Sequence, residues 1–469
     1  MSLAVTTIGG AGARPDLPRL VRRHWPLLPL AATVLMLLVP VPAGDASASG
    51  KVGPADAASL VLVLVCALQA LRGRVRVLSP LAVAVLGVPA VGLAVATATA
   101  GDPYAALPGF VRYLQVFVLV PVAVVLLVRD AGEFRVAAGC FTVLALVQGA
   151  VGVVQYLTHT GASYQGADVR AVGTFGPGDV MGMATVVAYG LVVATAAALA
   201  PGLPGPVRRV AGGTALLLVV PLVLSFSRGS WIATAGTAVL VMLLAGIRRA
   251  VRVLLALTAL GVVLVGGLGV GSAMVAERLT SITQVSSAPD QSVTDRYTMW
   301  AAAEAMWQER PAAGVGLKGF PAHRDGHASL GLSSGSDTAG AGQGYVRQPL
   351  LSPHNMYLLV LGEQGLIGLL ALAGGWAALL VAGLRRYAAV RAPGTSDTGG
   401  TGASDRSGRA MRDCGLIAIG LLVWQLTDFL YADIGGPSTV LTGVIIGLAA
   451  WWALPSPAGP RAASGAAGR

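Results

Sequence analysis

The sequence predicts an all-α polytopic membrane protein of about twelve transmembrane helices. Both termini are expected to be cytoplasmic, with one long periplasmic or extracellular loop between helices nine and ten. Three observations predict this. Hydrophobic residues make up 55% of the 469 and charged residues only 11%, whereas a soluble domain carries about 25% charged residues. Apolar runs of about 20 residues recur, the length that crosses a bilayer as a helix. Arginines mark alternate connections, as the positive-inside rule requires.

Taken in order, residues 1–24 are polar and basic, with Arg14, Arg19, Arg22 and Arg23, and read as a cytoplasmic N-terminus. Helices one to nine occupy 25–276, with apolar runs at 26–42, 57–71, 77–99, 109–128, 136–157, 179–200, 211–226, 230–247 and 253–275. The first run has a basic flank and an Ala46-Ser47-Ala48 site, as a signal peptide does, but its length favours a retained helix. A large outer loop spans 277–352. Residues 353–454 hold helices ten to twelve, with runs at 364–384, 413–431 and 437–454, and 455–469 form a cytoplasmic tail.

With the N-terminus inside, 22 of the 32 basic residues fall on inner segments, nine outside, and Arg112 within a span. Every short inner connection is basic, and six of the nine outer ones lie in the long loop, where the rule has little force. The net charge of +11 is therefore explained by topology and does not call for nucleic acid. Only Lys51 and Lys318 are lysines; the other basic residues are arginine. Cys66, Cys140 and Cys414 fall in or beside apolar runs, so no structural disulfide is expected in an outer loop.

The outer surface carries the residues with chemistry. The loop at 158–178 contains Arg170, Gly173, Thr174, Phe175, Gly176 and Pro177 and is turn-rich. A very short turn, Ser225-Phe226-Ser227-Arg228-Gly229-Ser230-Trp231, pins Arg228 at the outer boundary. A guanidinium there offers a planar fork suited to phosphate or pyrophosphate; the alternative is snorkelling to lipid headgroups. Arg112, Gln148, Gln155, Tyr156, Gln425, Asp428, Tyr431 and Asp433 lie toward the same face. Their shared depth points to a common cavity, against the plainer reading of separate interhelical hydrogen bonds.

In the long loop, 294–310 reads as an amphipathic helix with Tyr297, Trp300, Glu304 and Trp307 at helical spacing, ended by Pro311. Arg296 falls in its first turn, against the helix dipole, which hints at an anionic ligand; the alternative is pairing with Asp295 or Glu304. Residues 326–344, rich in Gly and Ser, are expected to be mobile. His323, Asp325 and His327 have a metal-like spacing, but Gly326 argues against the helix such a site needs, so no metal is expected.

The chain is organised around residues 353–368. His354 and Asn355 sit where the loop returns to apolar sequence, and Glu363 is the one acid before Gly365 and Gly368. Polar groups at such depth usually face a cavity; the alternative is a capped interfacial helix whose His faces water.

These motifs resemble the O-antigen ligase and O-antigen polymerase superfamily. The ligase branch has His, then Asn, Ser or Gln, nine residues, then Gly-x-x-Gly, matched here by His354, Asn355, Gly365 and Gly368. Ser227-Arg228 resembles the family's Ser-Arg turn. Asp295, Arg296, Trp300, Pro311, Gly314, Gly316 and Phe320 resemble the start of its large loop, and Gly173, Thr174 and Phe175 an earlier motif. There the chain departs, with Gly178-Asp179 in place of an Asn-containing turn. The resemblance covers roughly 100–450 and does not separate ligase from polymerase.

The resemblance implies a metal-independent, cofactor-free inverting glycosyltransferase with a C-type membrane fold, acting at the outer face of the bacterial cytoplasmic membrane. The donor would be a glycan on a polyprenyl pyrophosphate. The acceptor would be a hydroxyl of a glycan, lipid or protein. His354 would be the catalytic base; Arg228, Arg296, Arg112, Asn355 and Glu363 would bind or orient substrate, Glu363 by pairing with an arginine. The rival class is a twelve-helix transporter of an envelope glycan or anionic solute, and a third reading is a flippase-like or structural envelope partner. No internal repeat between the halves supports the transporter.

Overall fold

The computed structural model describes residues 25–40, 53–164, 170–176, 179, 181–248, 250–251, 291–329, 332, 335–340, 346–348, 350–391 and 402–454. The predicted span 253–275, the basic segment 1–24 and the tail 455–469 lie outside the described residues.

Among the described residues nine helices are long and apolar enough to cross a membrane. They are α2 (Pro54–Leu71), α3 (Pro80–Ala98), α4 (Pro103–Leu127), α5 (Ala131–Leu157), α6 (Gly182–Leu199), α7 (Gly205–Leu224), α8 (Arg228–Ala245), α11 (Met356–Arg391) and α12 (Arg406–Asp428). Two shorter apolar helices, α1 (Trp25–Leu38) and α13 (Thr439–Ala453), pack among them. Outside this bundle lie α9 (Gln291–Glu309) and α10 (Phe320–His327).

Local sequence fixes many of the ends. Pro stands at the first position of α2, α3 and α4, where its missing N–H costs nothing. The side chains of Ser79, Asp102, Asp130 and Ser227 cap the starts of α3, α4, α5 and α8. Helix α6 is the central post, buried over 78% of its length. Small residues bring neighbours close: Gly190 of α6 lies against Ala145 of α5, and Gly443 and Gly447 of α13 lie against the backbone of α4. In α4 a single π-helical turn, Gln115–Leu119, interrupts the ladder where α13 packs.

Polar contacts also join several helix ends. Arg76 and Trp451 both donate to the Val128 carbonyl. Arg135 pairs with Asp413, and the Gly202 amide donates to the same carboxylate.

The fold departs from the sequence reading at four places. It is not wholly helical: β1 (Ala162–Tyr164) pairs antiparallel with β2 (Ser336–Gly340), which pairs with β3 (Val346–Gln348). Part of the Gly-Ser segment expected to be mobile is thus a strand, because it ties the 158–178 loop to the long loop. Helix α10 runs through Gly326 to His327, so this glycine does not break the helix. Helix α9 starts at Gln291, three residues early, which places Arg296 in its second turn. Finally, α11 starts at Met356, before the Gly365–Gly368 pair rather than at it.

The last difference has a physical cause. Gly365 takes φ 62° and ψ −162°, a non-helical break inside α11. Freed backbone groups at membrane depth need partners within the protein. Residues 311–316 supply them: the Val315 and Gly316 amides donate to the Gly362 and Glu363 carbonyls at 2.9 and 3.0 Å. In return the Leu366 and Ile367 amides donate to the Pro311 and Ala312 carbonyls at 2.9 and 3.1 Å. Gly314, at φ 68°, allows the approach, since a Cβ there would lie 2.4 Å from the Glu363 carbonyl carbon. The loop then continues to α3, where the Leu317 amide donates to the Ala96 carbonyl at 3.0 Å.

Candidate active site

His354 lies in the short bend between the long loop and α11, with a left-handed backbone (φ 48°) that only the surrounding contacts can hold. Those contacts are specific. The Trp300 indole of α9 donates to the Pro353 carbonyl at 2.8 Å. The Met356 amide donates to the Phe429 and Ala432 carbonyls at 2.9 and 3.1 Å. Asn355 is buried; its amide nitrogen donates to the Leu430 carbonyl at 2.9 Å, and its oxygen caps the Leu358 amide at 3.1 Å. Asn355 therefore orients His354 by locking the bend between α9 and the end of α12.

Half-buried His354 faces Asp433 and Arg296. Burial is the largest influence and pushes its imidazole below the ordinary value; Asp433 opposes this and Arg296 adds to it. Asp433 has an inward oxygen, Oδ2, without a hydrogen-bond partner among the described residues. Beyond it lie Tyr431, Asp428 and Asp179. Burial, then Asp428, pushes the Tyr431 hydroxyl well above the ordinary phenol range. Burial also raises the Asp179 carboxyl to about 6, against the Gly182 and Met181 amides that stabilise its charge.

Arg228 is the first residue of α8, and the neighbouring Gly229 abuts the Tyr431 ring, at 2.6 Å from where a Cβ would stand. Arg296 acts on both His354 and Tyr431. The start of α8, where Arg228 precedes Gly229, therefore abuts Tyr431, on which Arg296 of α9 also acts.

Glu363 is buried, and its Oε1 accepts the Phe320 amide at 3.1 Å. Its charged neighbour is Lys318, not an arginine, because the loop that mends the helix break carries Lys318 past it. Tyr113, fully buried on α4, faces Glu363 and Asp433. Lys318 and Tyr113 were not singled out from sequence. The signal available was the rarity of lysine in an arginine-rich chain.

Arg112 is held elsewhere, in an ion pair with Asp56 at the start of α2. The expected common cavity thus divides. Gln148 and Gln155 anchor the Val172–Thr174 turn, through hydrogen bonds of 2.6–3.1 Å to its backbone and Thr174. Gln425 takes the hydroxyls of Tyr189 and Thr442. Asp428, Tyr431 and Asp433 do join His354.

On α10 the histidines are occupied. His323 Nδ1 meets the Gly319 carbonyl at 2.9 Å, and His327 Nε2 meets Glu309 at 2.9 Å. Among the described residues no group of three His, Cys, Asp or Glu is arranged to hold a metal ion. The three cysteines are free thiols.

No curated protein matches the chain. Residues 213–373 match the family described as O-Antigen ligase, a stretch that contains Arg228, Arg296, His354, Asn355 and Glu363 but not Arg112 or Asp433. The similarity to that family thus falls on the segment that carries Arg228, Arg296 and the His354 bend.

Proposed function

We propose that the chain transfers a glycan from a polyprenyl-pyrophosphate carrier to an acceptor hydroxyl, with His354 as general base. The reaction would take place at the outer face of the bacterial cytoplasmic membrane. The observation that carries the proposal is half-buried His354, under the opposing charges of Asp433 and Arg296, in a bend locked by Trp300 and Asn355.

The roles follow from this arrangement. A base must be neutral before it acts, and burial with Arg296 nearby favours the neutral imidazole. As the acceptor hydroxyl attacks the anomeric carbon, His354 takes its proton, and the facing Asp433 carboxylate stabilises the imidazolium that forms. The bond from that carbon to the pyrophosphate oxygen breaks, and negative charge grows on the leaving group. Arg228 and Arg296 stabilise that charge directly, so the chemistry does not require a divalent ion. Asn355 and Glu363 hold the scaffold, one at the bend and one at the loop.

The broken helix α11 is a feature shared with transporters. Here, however, the freed carbonyls of Gly362 and Glu363 are taken by loop amides and are not free to coordinate cargo. The test uses purified full-length chain in lipid nanodiscs with a lipid-pyrophosphate-linked glycan and candidate acceptors, in excess chelator. Product in which the glycan has left the carrier is the expected result. Movement of intact donor across vesicles with no transfer would overturn the proposal, as would activity lost to chelation and restored by a divalent ion.

A further inference from the structure

At the end of the bundle opposite His354, two arginines stand together with no acid between them. Arg76 lies on the connection before α3. Arg386 lies near the far end of α11, a helix length on the order of 40 Å from the His354 bend. Each guanidinium stacks on a tryptophan of α13: Arg76 stands 5.8 Å from the Trp451 ring centre, and Arg386 4.6 Å from that of Trp452. Each also donates from Nη1 to a carbonyl at a helix end, Arg76 to Val128 at 3.3 Å and Arg386 to Trp452. The tryptophans are fixed in turn, by bonds from their indoles to the Val128 and Gly383 carbonyls at 2.8 and 3.1 Å.

Capping these helix ends accounts for one nitrogen of each arginine. Among the described residues, Nε and Nη2 of both make no hydrogen bond, and neither side chain pairs with a carboxylate. The acids at this end are taken: Asp413 by Arg135 and the Gly202 amide, and Glu133 by Arg129. Arg76 and Arg386 meanwhile act on each other as like charges. Both are half-buried, unlike the exposed Arg72, Arg74 and Arg385 near them in the chain. Two neighbouring planar forks, preset by stacked rings and lacking a counter-ion, suit a phosphodiester.

The pair marks where the seam between α3 and α11 reaches the end of the bundle. Gly92 meets Gly368 and Ala371, and the Val85 carbonyl lies 3.4 Å from where a Cβ on Gly375 would stand, so the two helices run antiparallel. The same line carries the start of α3 toward the last turns of α11. Val77, Leu81 and Val381, toward this end, are 74%, 59% and 45% exposed. Outward apolar side chains beside a phosphate-binding pair favour a lipid over a free anion.

We infer that Arg76 and Arg386 together bind the headgroup phosphate of an anionic glycerophospholipid, with its acyl chains beside Val77, Leu81 and Val381. The site is independent of the transfer reaction. It lies at the other end of α11 from His354, and its ligand is a lipid of the surrounding leaflet, not the glycan carrier. Bound there, the lipid braces the connection before α3 against the end of α11.

The probe is dioleoyl phosphatidylglycerol, given to the full chain in dioleoyl phosphatidylcholine nanodiscs, with retained lipid counted by native mass spectrometry. Wild type should retain phosphatidylglycerol about tenfold or more above its share of the bilayer, the scale for hydrogen bonds to a charged group. Arg76→Gln with Arg386→Gln should lose that preference. Arg72→Gln with Arg74→Gln removes the same charge from exposed positions of the same connection and should leave it within about twofold. Arg76→Lys with Arg386→Lys keeps both charges and a donor for each carbonyl, and so covers a failure of the glutamine pair to fold. It should still lose most of the preference, because an ammonium lacks the planar fork. Retention of both lipids by wild type in proportion to their abundance would overturn the inference. So would equal loss in the two glutamine pairs, which would reduce the effect to the general positive charge of this end. Displacement of the lipid by glycerol 3-phosphate would also overturn it, by making the ligand a free anion.

Discussion

The indole N–H of Trp300 reaches the carbonyl oxygen of Pro353 at 2.8 Å, so the helix of the long loop holds the residue immediately before His354. The opposite edge of α9, with Met299, Ala302, Ala303 and Met306, is buried against the bundle. Arg296 rides on the same helix, so one hydrogen bond ties the proposed base, His354, to the helix that carries Arg296. Trp300→Phe keeps the ring and deletes the donor. It should lower kcat/KM about fivefold, the equivalent of roughly 1 kcal/mol for a lost hydrogen bond. Donor binding and transfer kinetics measured in parallel would check this, and an unchanged kcat would show that the bend holds without it.

His354 should set the acid limb of the rate profile. Its imidazole is pushed below the ordinary value near 6.5, and it must be neutral to accept a proton. Activity should therefore be full at neutral pH and fall only as pH drops through a value below 6.5. Asp433→Asn removes the one influence that raises the pKa, so the limb should move further toward acid. His354→Ala should lose about 100- to 10,000-fold in rate while still binding donor. A His354→Gln enzyme near wild-type rate would end the general-base role.

The arginines call for geometry as well as charge. Arg228→Ala and Arg296→Ala should each cost about 10- to 1000-fold in kcat, the scale for one preorganised donor. Arg228→Lys should remain impaired because it lacks the planar fork. Wild-type turnover by Arg228→Ala would leave only its contacts at the start of α8.

Gly365 should tolerate no side chain. Its φ of 62° strains any L residue, and a Cβ would stand 2.4 Å from the Ala312 carbonyl. Gly365→Ala should destabilise the protein by about 2 kcal/mol or more, combining backbone strain with overpacking. The readout is thermal unfolding in detergent; a midpoint unchanged from wild type would mean that the break can straighten.

Sidedness can be read with thiols. Ser329 and Ser407 are both exposed, one on the long loop and one in the first turn of α12. In a cysteine-free background, Ser329→Cys should react with an impermeant reagent on spheroplasts, and Ser407→Cys only after lysis. The reverse pattern would invert the arginine-based topology.

The sequence reading went furthest where a single residue type carries the physics. Apolar run length located the nine long apolar helices among the described residues, and the His-Asn motif marked the bend that precedes α11. It went least far where the outcome depends on long-range partners. Gln148 and Gln155 share the depth of Asp428 and Asp433, yet they hold a turn, because Thr174 and Gly173 happen to lie opposite them. Gly365 looked like the start of a span because loss of helical backbone is visible in sequence. Its repair by residues 50 positions earlier is not. Gly326 misled for the opposite reason: neighbouring contacts, such as the bond from His327 to Glu309, keep the helix through it.

The repair of α11 also sets an order of assembly. A chain is made from its N-terminus, so Pro311–Gly316 leave the ribosome before Gly362–Ile367. The amides and carbonyls that complete the break therefore exist before the break is synthesised. The nascent helix meets its partner loop as it inserts, rather than waiting in lipid with four bare backbone groups. A circular permutation that placed 291–327 after 391 would reverse that order, and its insertion should be slow even if its final fold were the same.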